Sequence, residues 1–371
     1  MIPSLAIAKR IVIKIGSALI VDPTTATPRT EWLRGVVEDI AALAGRGTEI
    51  IVVSSGAIAL ARRQLGLHGA KLRLDEKQAA AAVGQIRLAQ AWAETLSEKS
   101  LIAAQLLITL DDTEDRRRYL NARATLSTLL SLGCIPVINE NDSVATAEIR
   151  YGDNDRLAAR VAEMMQADVL LLLSDIDGLY TADPRKDPEA SHIPVVPAIT
   201  PEIDAMGGEP PPGYSSGGMK TKLIAARIAT QAGCAMAIAL GDRVNPIAAI
   251  SRGGKCTWFL PAPEGRSARK SWIAGHLAPQ GTLTIDAGAA KALEKGSSLL
   301  PAGIKAVTGN FERGDPVDVL TEDGAHIARG LAAYSSADAA MLAGHRSEDF
   351  EALLGFRGRD EVIHRDDLVL F

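Results

Sequence analysis

The sequence predicts a two-part molecule: an α/β domain in which helices cover both faces of a mainly parallel sheet, followed by a small mostly-β domain. Three observations carry that expectation. From Arg10 to about Leu240, short β-branched apolar runs alternate with longer Ala-, Leu-, Glu- and Arg-rich stretches, the rhythm of strand–helix–strand units. The apolar runs are unbroken, which suits strands buried on both faces. Finally, 371 residues exceed the size at which a single core stops growing. The text changes near Pro261-Ala262-Pro263-Glu264-Gly265, and from about Gly281 it becomes short strands with turns such as Asp323-Gly324, a strong hairpin dipeptide. The two domains are expected over residues 1–265 and 280–371.

Taken in order, the strand candidates run from Ile11 to Ile15, Ile50 to Val53, Ile102 to Ile108, Ile135 to Ile138, Val169 to Leu173 and Met236 to Leu240. Between them, residues 31–45, 56–65, 76–99, 113–132, 154–166 and 219–232 have helix-forming composition at helical length. Asp111-Asp112-Thr113-Glu114-Asp115 and the following Arg116-Arg117-Arg118 read as one helix with acids in its first turn and bases behind, complementing the helix dipole. Residues 207–218 are too rich in Gly, Pro and Ser for a regular element and read as a mobile loop.

Composition narrows the function classes. No stretch approaches the roughly 18 apolar residues that span a bilayer, and the N-terminus lacks the basic flank and cleavage site of a secretory signal. A cytoplasmic protein is expected. Three scattered cysteines form no disulfide framework, and six histidines show no zinc-ligand spacing, so no structural metal is indicated. From residue 280 onward nine Lys and Arg stand against fifteen Asp and Glu, a balance of −6. That acidity argues against a nucleic-acid-binding tail, since such binding draws much of its affinity from basic contacts to phosphate.

Small-residue turns follow the first two strands, at Gly16-Ser17 and Ser54-Ser55-Gly56, and Ser216-Gly217-Gly218 precedes a late helix. Such turns expose backbone N–H groups, and a helix N-terminus adds a favourable dipole for anions, so phosphate is the natural ligand. Lys14 interrupts an apolar strand, where an unpaired ammonium is expensive. Lys220 and Lys222 fall in a first helical turn, where the dipole disfavours cations unless a polyanion binds there too. Acidic clusters follow the fourth strand (Asn139-Glu140-Asn141-Asp142), open a helix (Gly152-Asp153-Asn154-Asp155) and end the fifth strand (Ser174-Asp175-Ile176-Asp177-Gly178). Together with the lysines they point to a site for Mg²⁺ and a charged substrate. Walker A and GxGxxG sequences do not occur.

The lysine-x-Gly-Ser start at Lys14, Ser54-Ser55-Gly56-Ala57-Ile58, Val137 to Asp142, Gly152 to Asp155 and Gly217-Gly218-Met219-Lys220-Thr221-Lys222 together resemble the amino-acid kinase superfamily. Gly296 to Ile304, Gly309 to Asp315 and Ile327 to Gly330 resemble a PUA domain. The resemblance implies a three-layer αβα sandwich with a PUA tail. It also implies ATP-dependent phosphorylation of the side-chain carboxylate of L-glutamate to L-glutamyl 5-phosphate, the step that opens proline biosynthesis. ATP and Mg²⁺ are then the cofactors, proline a feedback inhibitor and a homo-oligomer the expected assembly.

Residue by residue, the resemblance assigns Lys14, Asp155 and Lys222 to catalysis. Lys14, Gly16, Ser174, Asp175, Ser216, Gly217, Gly218, Met219, Lys220, Thr221 and Lys222 fall to the nucleotide, and Ser55, Gly56, Asp142 and Asn154 to glutamate. Ser174 stands where Thr is common and Lys220 where Ser is frequent. Two rival readings remain at this level: a kinase of the same fold acting on N-acetylglutamate or aspartate, and an RNA-binding protein organised around the tail.

Overall fold

The computed structural model describes residues 3–67, 72–144, 153–208, 218–263 and 278–371. The chain divides into two compact units, Met1–Gly265 and Arg266–Phe371. The first unit contains β1 (Arg10–Ile15), α1 (Ser17–Ile20), α2 (Thr30–Ala44), β2 (Glu49–Ser54), α3 (Ala57–Arg62), α4 (Leu74–Ser97), β3 (Ile102–Ile108), α5 (Leu110–Glu114), α6 (Arg116–Ser131) and β4 (Cys134–Glu140). It continues with α7 (Asp153–Met164), β5 (Val169–Ser174), β6 (Leu179–Tyr180), β7 (His192–Ile193), β8 (Val195–Val196), α8 (Pro201–Ala205), α9 (Met219–Gln231), β9 (Ala235–Leu240), α10 (Pro246–Ser251) and β10 (Cys256–Phe259). Its main sheet has the order β3-β4-β2-β1-β5-β9-β10-β8. Every neighbour from β3 to β9 is parallel, and β10 turns antiparallel to β9.

Strand alternation decides what faces the site. Successive side chains point to opposite faces. Ile11, Ile13 and Ile15 of β1 pack with Trp32, Leu33 and Val36 of α2 and Trp92 of α4. Val12 belongs to the opposite layer, with Leu157 and Val161 of α7 and Leu223 and Ala226 of α9. Lys14 shares the face of Val12, so β1 directs its ammonium toward α7 and α9. A buried aliphatic side chain at that position would contribute about 1.5–3 kcal/mol. The strand forgoes this and buries an ammonium instead, which is expensive unless the charge is paired.

The six expected strands are present, and both faces of the sheet are covered. Three details differ. β3 ends the strand order, and Ile102 is 64% exposed, in place of two-sided burial. Its apolar composition matches that of the central strands, so only pairing reveals the edge. The sheet also continues past Leu240 through β10, and β6 to β8 are two residues each, too short to show a period. The acidic-basic segment forms two helices instead of one. Asp115 leaves the helical region at φ −76°, ψ 123°, and its Oδ1 accepts from Arg118 N at 2.9 Å, capping α6, while Thr109 and Asp112 form a capping box that starts α5. Arg116 to Arg118 therefore open α6. Most of the expected loop, residues 209–217, and of the linker, residues 264–277, lie outside the described residues.

The second unit contains β11 (Gly281–Ile285), α11 (Ala287–Glu294), β12 (Ile304–Gly309), β13 (Pro316–Thr321), β14 (His326–Leu331), α12 (Ser336–Leu342), α13 (Phe350–Leu354) and β15 (Leu368–Leu370). Its sheet order is β12-β11-β13-β14-β15. Asp323-Gly324 does join an antiparallel pair, β13 and β14, with Gly324 at φ 84° supplying the left-handed residue of the turn. Leu283, Ile285, Phe311, Val317, Val319 and Phe350 build a core of its own.

Candidate active site

Because β1, β2, β4 and β5 run parallel, their carboxyl ends share one edge of the sheet. α7 and α9, which lead into the parallel strands β5 and β9, begin at that edge. Ligands of open α/β sheets bind there.

An ionic cluster occupies its centre. Lys14 Nζ lies 2.5 Å from Asp155 Oδ1, and Lys222 Nζ lies 3.2 Å from Asp155 Oδ2. The Thr221 hydroxyl donates to Asp155 Oδ2 at 3.1 Å. Asp155 is fully buried, and Lys14 and Lys222 are 7% and 5% exposed. Burial by itself raises the Asp155 pKa, but the ammonium groups of Lys14 and Lys222 outweigh it and hold the carboxyl below its ordinary value. Asp155 also sits in the first turn of α7, where the helix dipole favours a carboxylate. Two cations thus converge on one anion.

Gly16 shapes the space beside them. A Cβ at this position would stand 3.9 Å from Lys14 Nζ and 4.0 Å from Leu173 O, so the glycine keeps one side of the ammonium open. Gly218 is the N-cap of α9 and has no side chain with which to cap the first N–H groups of that helix.

A neutral amide chain runs beside the ionic cluster. Asn154 Nδ2 donates to Ser55 Oγ at 2.8 Å and to Asn139 Oδ1 at 3.1 Å, and Asn139 Nδ2 donates to Gln85 Oε1 at 2.7 Å. Asn154 Oδ1 is buried, and among the described residues no donor stands against it. Behind Ser55, the indole N–H of fully buried Trp92 donates to Ser54 Oγ at 3.0 Å and anchors the end of β2. Gly56 adopts φ 121°, and a Cβ there would meet Ile20 Cγ2 at 2.9 Å, so both backbone and packing demand glycine.

The fold therefore brings Lys14, Asp155, Thr221 and Lys222 into one cluster and Ser55 and Asn154 into another. Asp142 stands half-buried in the turn after β4. Ser174 ends β5 and donates to Asp175 Oδ1 at 3.1 Å, and Asp175 pairs with Arg185 at 2.9 Å. Met219 begins α9 half-buried, and Lys220 points into solvent. Ser216 and Gly217 lie outside the described residues. Gln85 is the participant that the sequence did not single out. Its one signal was a preceding glycine inside a long alanine-rich helix, where glycine costs about 1 kcal/mol. Among the described residues no helix is long and apolar enough to cross a membrane.

Residues 9–239 match the model of the amino acid kinase family, and residues 281–354 match the PUA domain. The chain belongs to the amino acid kinase family. A glutamate 5-kinase of Gluconobacter oxydans (strain 621H) is 64% identical over 99% of this chain and 97% of that protein. The glutamate 5-kinase of Paramagnetospirillum magneticum (strain AMB-1) is 62% identical over 99% of each. Within the wider family, the chain belongs with the glutamate 5-kinases. Among solved structures, carbamate kinase from Giardia lamblia aligns with a TM-score of 0.49 at 13% identity, over 69% of this chain and all of that one.

Proposed function

We propose that this chain transfers the γ-phosphoryl group of ATP to the side-chain carboxylate of L-glutamate, giving ADP and L-glutamyl 5-phosphate, the first step of proline biosynthesis, in the cytoplasm. The observation that carries the reading is the convergence of two buried ammonium groups on Asp155, beside a glycine that leaves room for phosphate oxygen. A glutamate carboxylate is ionised at neutral pH, so no general base is required. The difficulty is bringing one anion to another, which calls for positioning and charge neutralisation.

Lys14 and Lys222 neutralise the transferring group, and Asp155 holds both ammonium groups in place. Backbone N–H groups at Gly16 and Gly218 approach phosphate, and Ser174, Asp175 and the span from Gly218 to Lys222 hold the nucleotide, to which the family resemblance also assigns Ser216 and Gly217. On the acceptor side, Ser55 and Gly56 line the site, Asn154 Oδ1 offers a buried acceptor to the α-ammonium, and Asp142 supplies the opposing charge. Mg²⁺ keeps most of its waters and needs few protein carboxylates. The ion would enter as a companion of the nucleotide phosphates, where it would screen their charge.

A steady-state assay with Mg²⁺ and ATP, trapping the acyl phosphate with hydroxylamine, tests the proposal. Free glutamate should turn over in preference to N-acetylglutamate and aspartate, and faster turnover of either rival would refute it. Proline inhibition belongs to the same reading and is checked by adding proline. Self-assembly also belongs to it and is checked by sedimentation.

A further inference from the structure

We infer that Gln85 is a positioning residue of the amino-acid site: through Asn139 it fixes the orientation in which Asn154 presents its acceptor oxygen to the substrate ammonium. The inference rests on the glutamate-site reading above and deepens it. A primary amide has a donor end and an acceptor end of nearly equal shape, so its orientation is decided by its partners. Asn154 spends its donor end on Ser55 and Asn139, which leaves Oδ1 as the buried end, without a donor among the described residues. Asn139 can accept from Asn154 only if its own Nδ2 points the other way, and at 2% exposure that Nδ2 needs an acceptor. Gln85 Oε1 supplies it at 2.7 Å. Without that acceptor, Asn139 gains by flipping and Asn154 must follow, turning an N–H toward the place of a cationic donor.

Backbone packing puts Gln85 within reach. A Cβ on the neighbouring Gly84 would stand 1.7 Å from Ala57 O, so only glycine lets α4 close against the start of α3, next to Ser55 and Gly56. Gly84 and Gln85 thus form a two-residue device: the first brings the helix in, and the second supplies the acceptor that this orientation of the amide chain requires.

The test compares side chains of similar length and opposite hydrogen-bonding polarity. Gln85→Glu keeps an acceptor toward Asn139, whereas Gln85→Met removes it and Gln85→Lys replaces it with a donor. At saturating ATP and Mg²⁺, Met and Lys should raise the KM for glutamate about tenfold, equivalent to about 1.4 kcal/mol. The kcat and the KM for ATP should stay within about twofold, and Glu should restore the KM. If Gln85→Met does not fold, the Lys and Glu pair carries the same contrast. Equal KM values for Lys and Glu, or a loss confined to kcat, would overturn the inference. Asn154→Ala separates the two levels. If it leaves the glutamate KM unchanged, the site reading falls and the inference with it; if it raises the KM while Gln85→Met does not, the inference falls alone.

Discussion

Asn154 and Asp155 are consecutive residues of α7, yet they serve opposite environments. Asp155 is a buried anion between two cations, and Asn154 is one link in a chain of neutral amides. Successive residues of a helix diverge by about 100°, so a single turn can supply two subsites a few ångströms apart. The chemistry on each side matches a different task. Charge in a low-dielectric pocket is expensive unless paired, and it is worthwhile where negative charge must be neutralised during transfer. Neutral amides cost little to bury when satisfied, and they sort substrates by donor and acceptor pattern. Substitutions on the ionic side should therefore damage folding and turnover, and those on the amide side should damage substrate affinity.

The largest effect is expected from Asp155→Asn, which leaves two buried ammonium groups without their carboxylate. Breaking a buried pair costs about 3–5 kcal/mol, so the variant should melt well below the native protein and lose turnover; a native melting temperature would break the comparison at its root. The pH dependence follows from the direction of the shift. Because the folded pKa of Asp155 lies below its ordinary 3.8, its contribution is complete above that value and is lost only as pH falls through the lower folded pKa. Denaturant titrations should accordingly find the stability gap between native and variant constant from neutral pH down to about 4 and narrowing below it.

Lys14→Met and Lys222→Met come next. Each should cost roughly 2–4 kcal/mol of transition-state stabilisation, read as a fall in kcat with a much smaller rise in the KM for glutamate. Near-normal turnover in either variant would remove that lysine from the reacting centre. Asp142→Asn should act in the opposite parameter, weakening glutamate by about 1.5–3 kcal/mol through loss of a charge-assisted contact. The KM for ATP at saturating glutamate should change far less, and an unchanged glutamate KM in a folded variant would exclude Asp142 from holding the substrate.

The smallest effect is expected from ending the chain at Gly265. Every residue assigned to either side of the site precedes that point, and the second unit has its own sheet and core. The shortened protein should fold and phosphorylate glutamate at a similar kcat. A folded, ligand-binding truncation without turnover would show that the site is not contained in the first unit.

Much of this was legible in the linear text. The unbroken β-branched runs announced central strands because a strand buried on both faces has no room for polar alternation. Lys14 stood out because it breaks such a run, and Asp323-Gly324 marked a hairpin because few dipeptides accept its backbone angles. Edge and centre could not be separated in the same way: β3 and β5 are similarly apolar, and which one is exposed depends on neighbours hundreds of atoms away. Asp115 shows the same limit locally. It could continue a helix or cap one, and the structure caps α6 with it. At the site, the family resemblance already named Asp155 as the holder of Lys14 and Lys222, whereas the residues read by themselves said only that Lys14 needs a partner. The fold adds the distances and the burial, from three separate elements. Gln85 had no motif at all, because its importance comes from the close approach of α4 to α3 at Gly84 and from the direction of an amide in space. Side-chain type and periodicity are properties of a line, whereas pairing, burial and hydrogen-bond polarity exist only once distant segments meet.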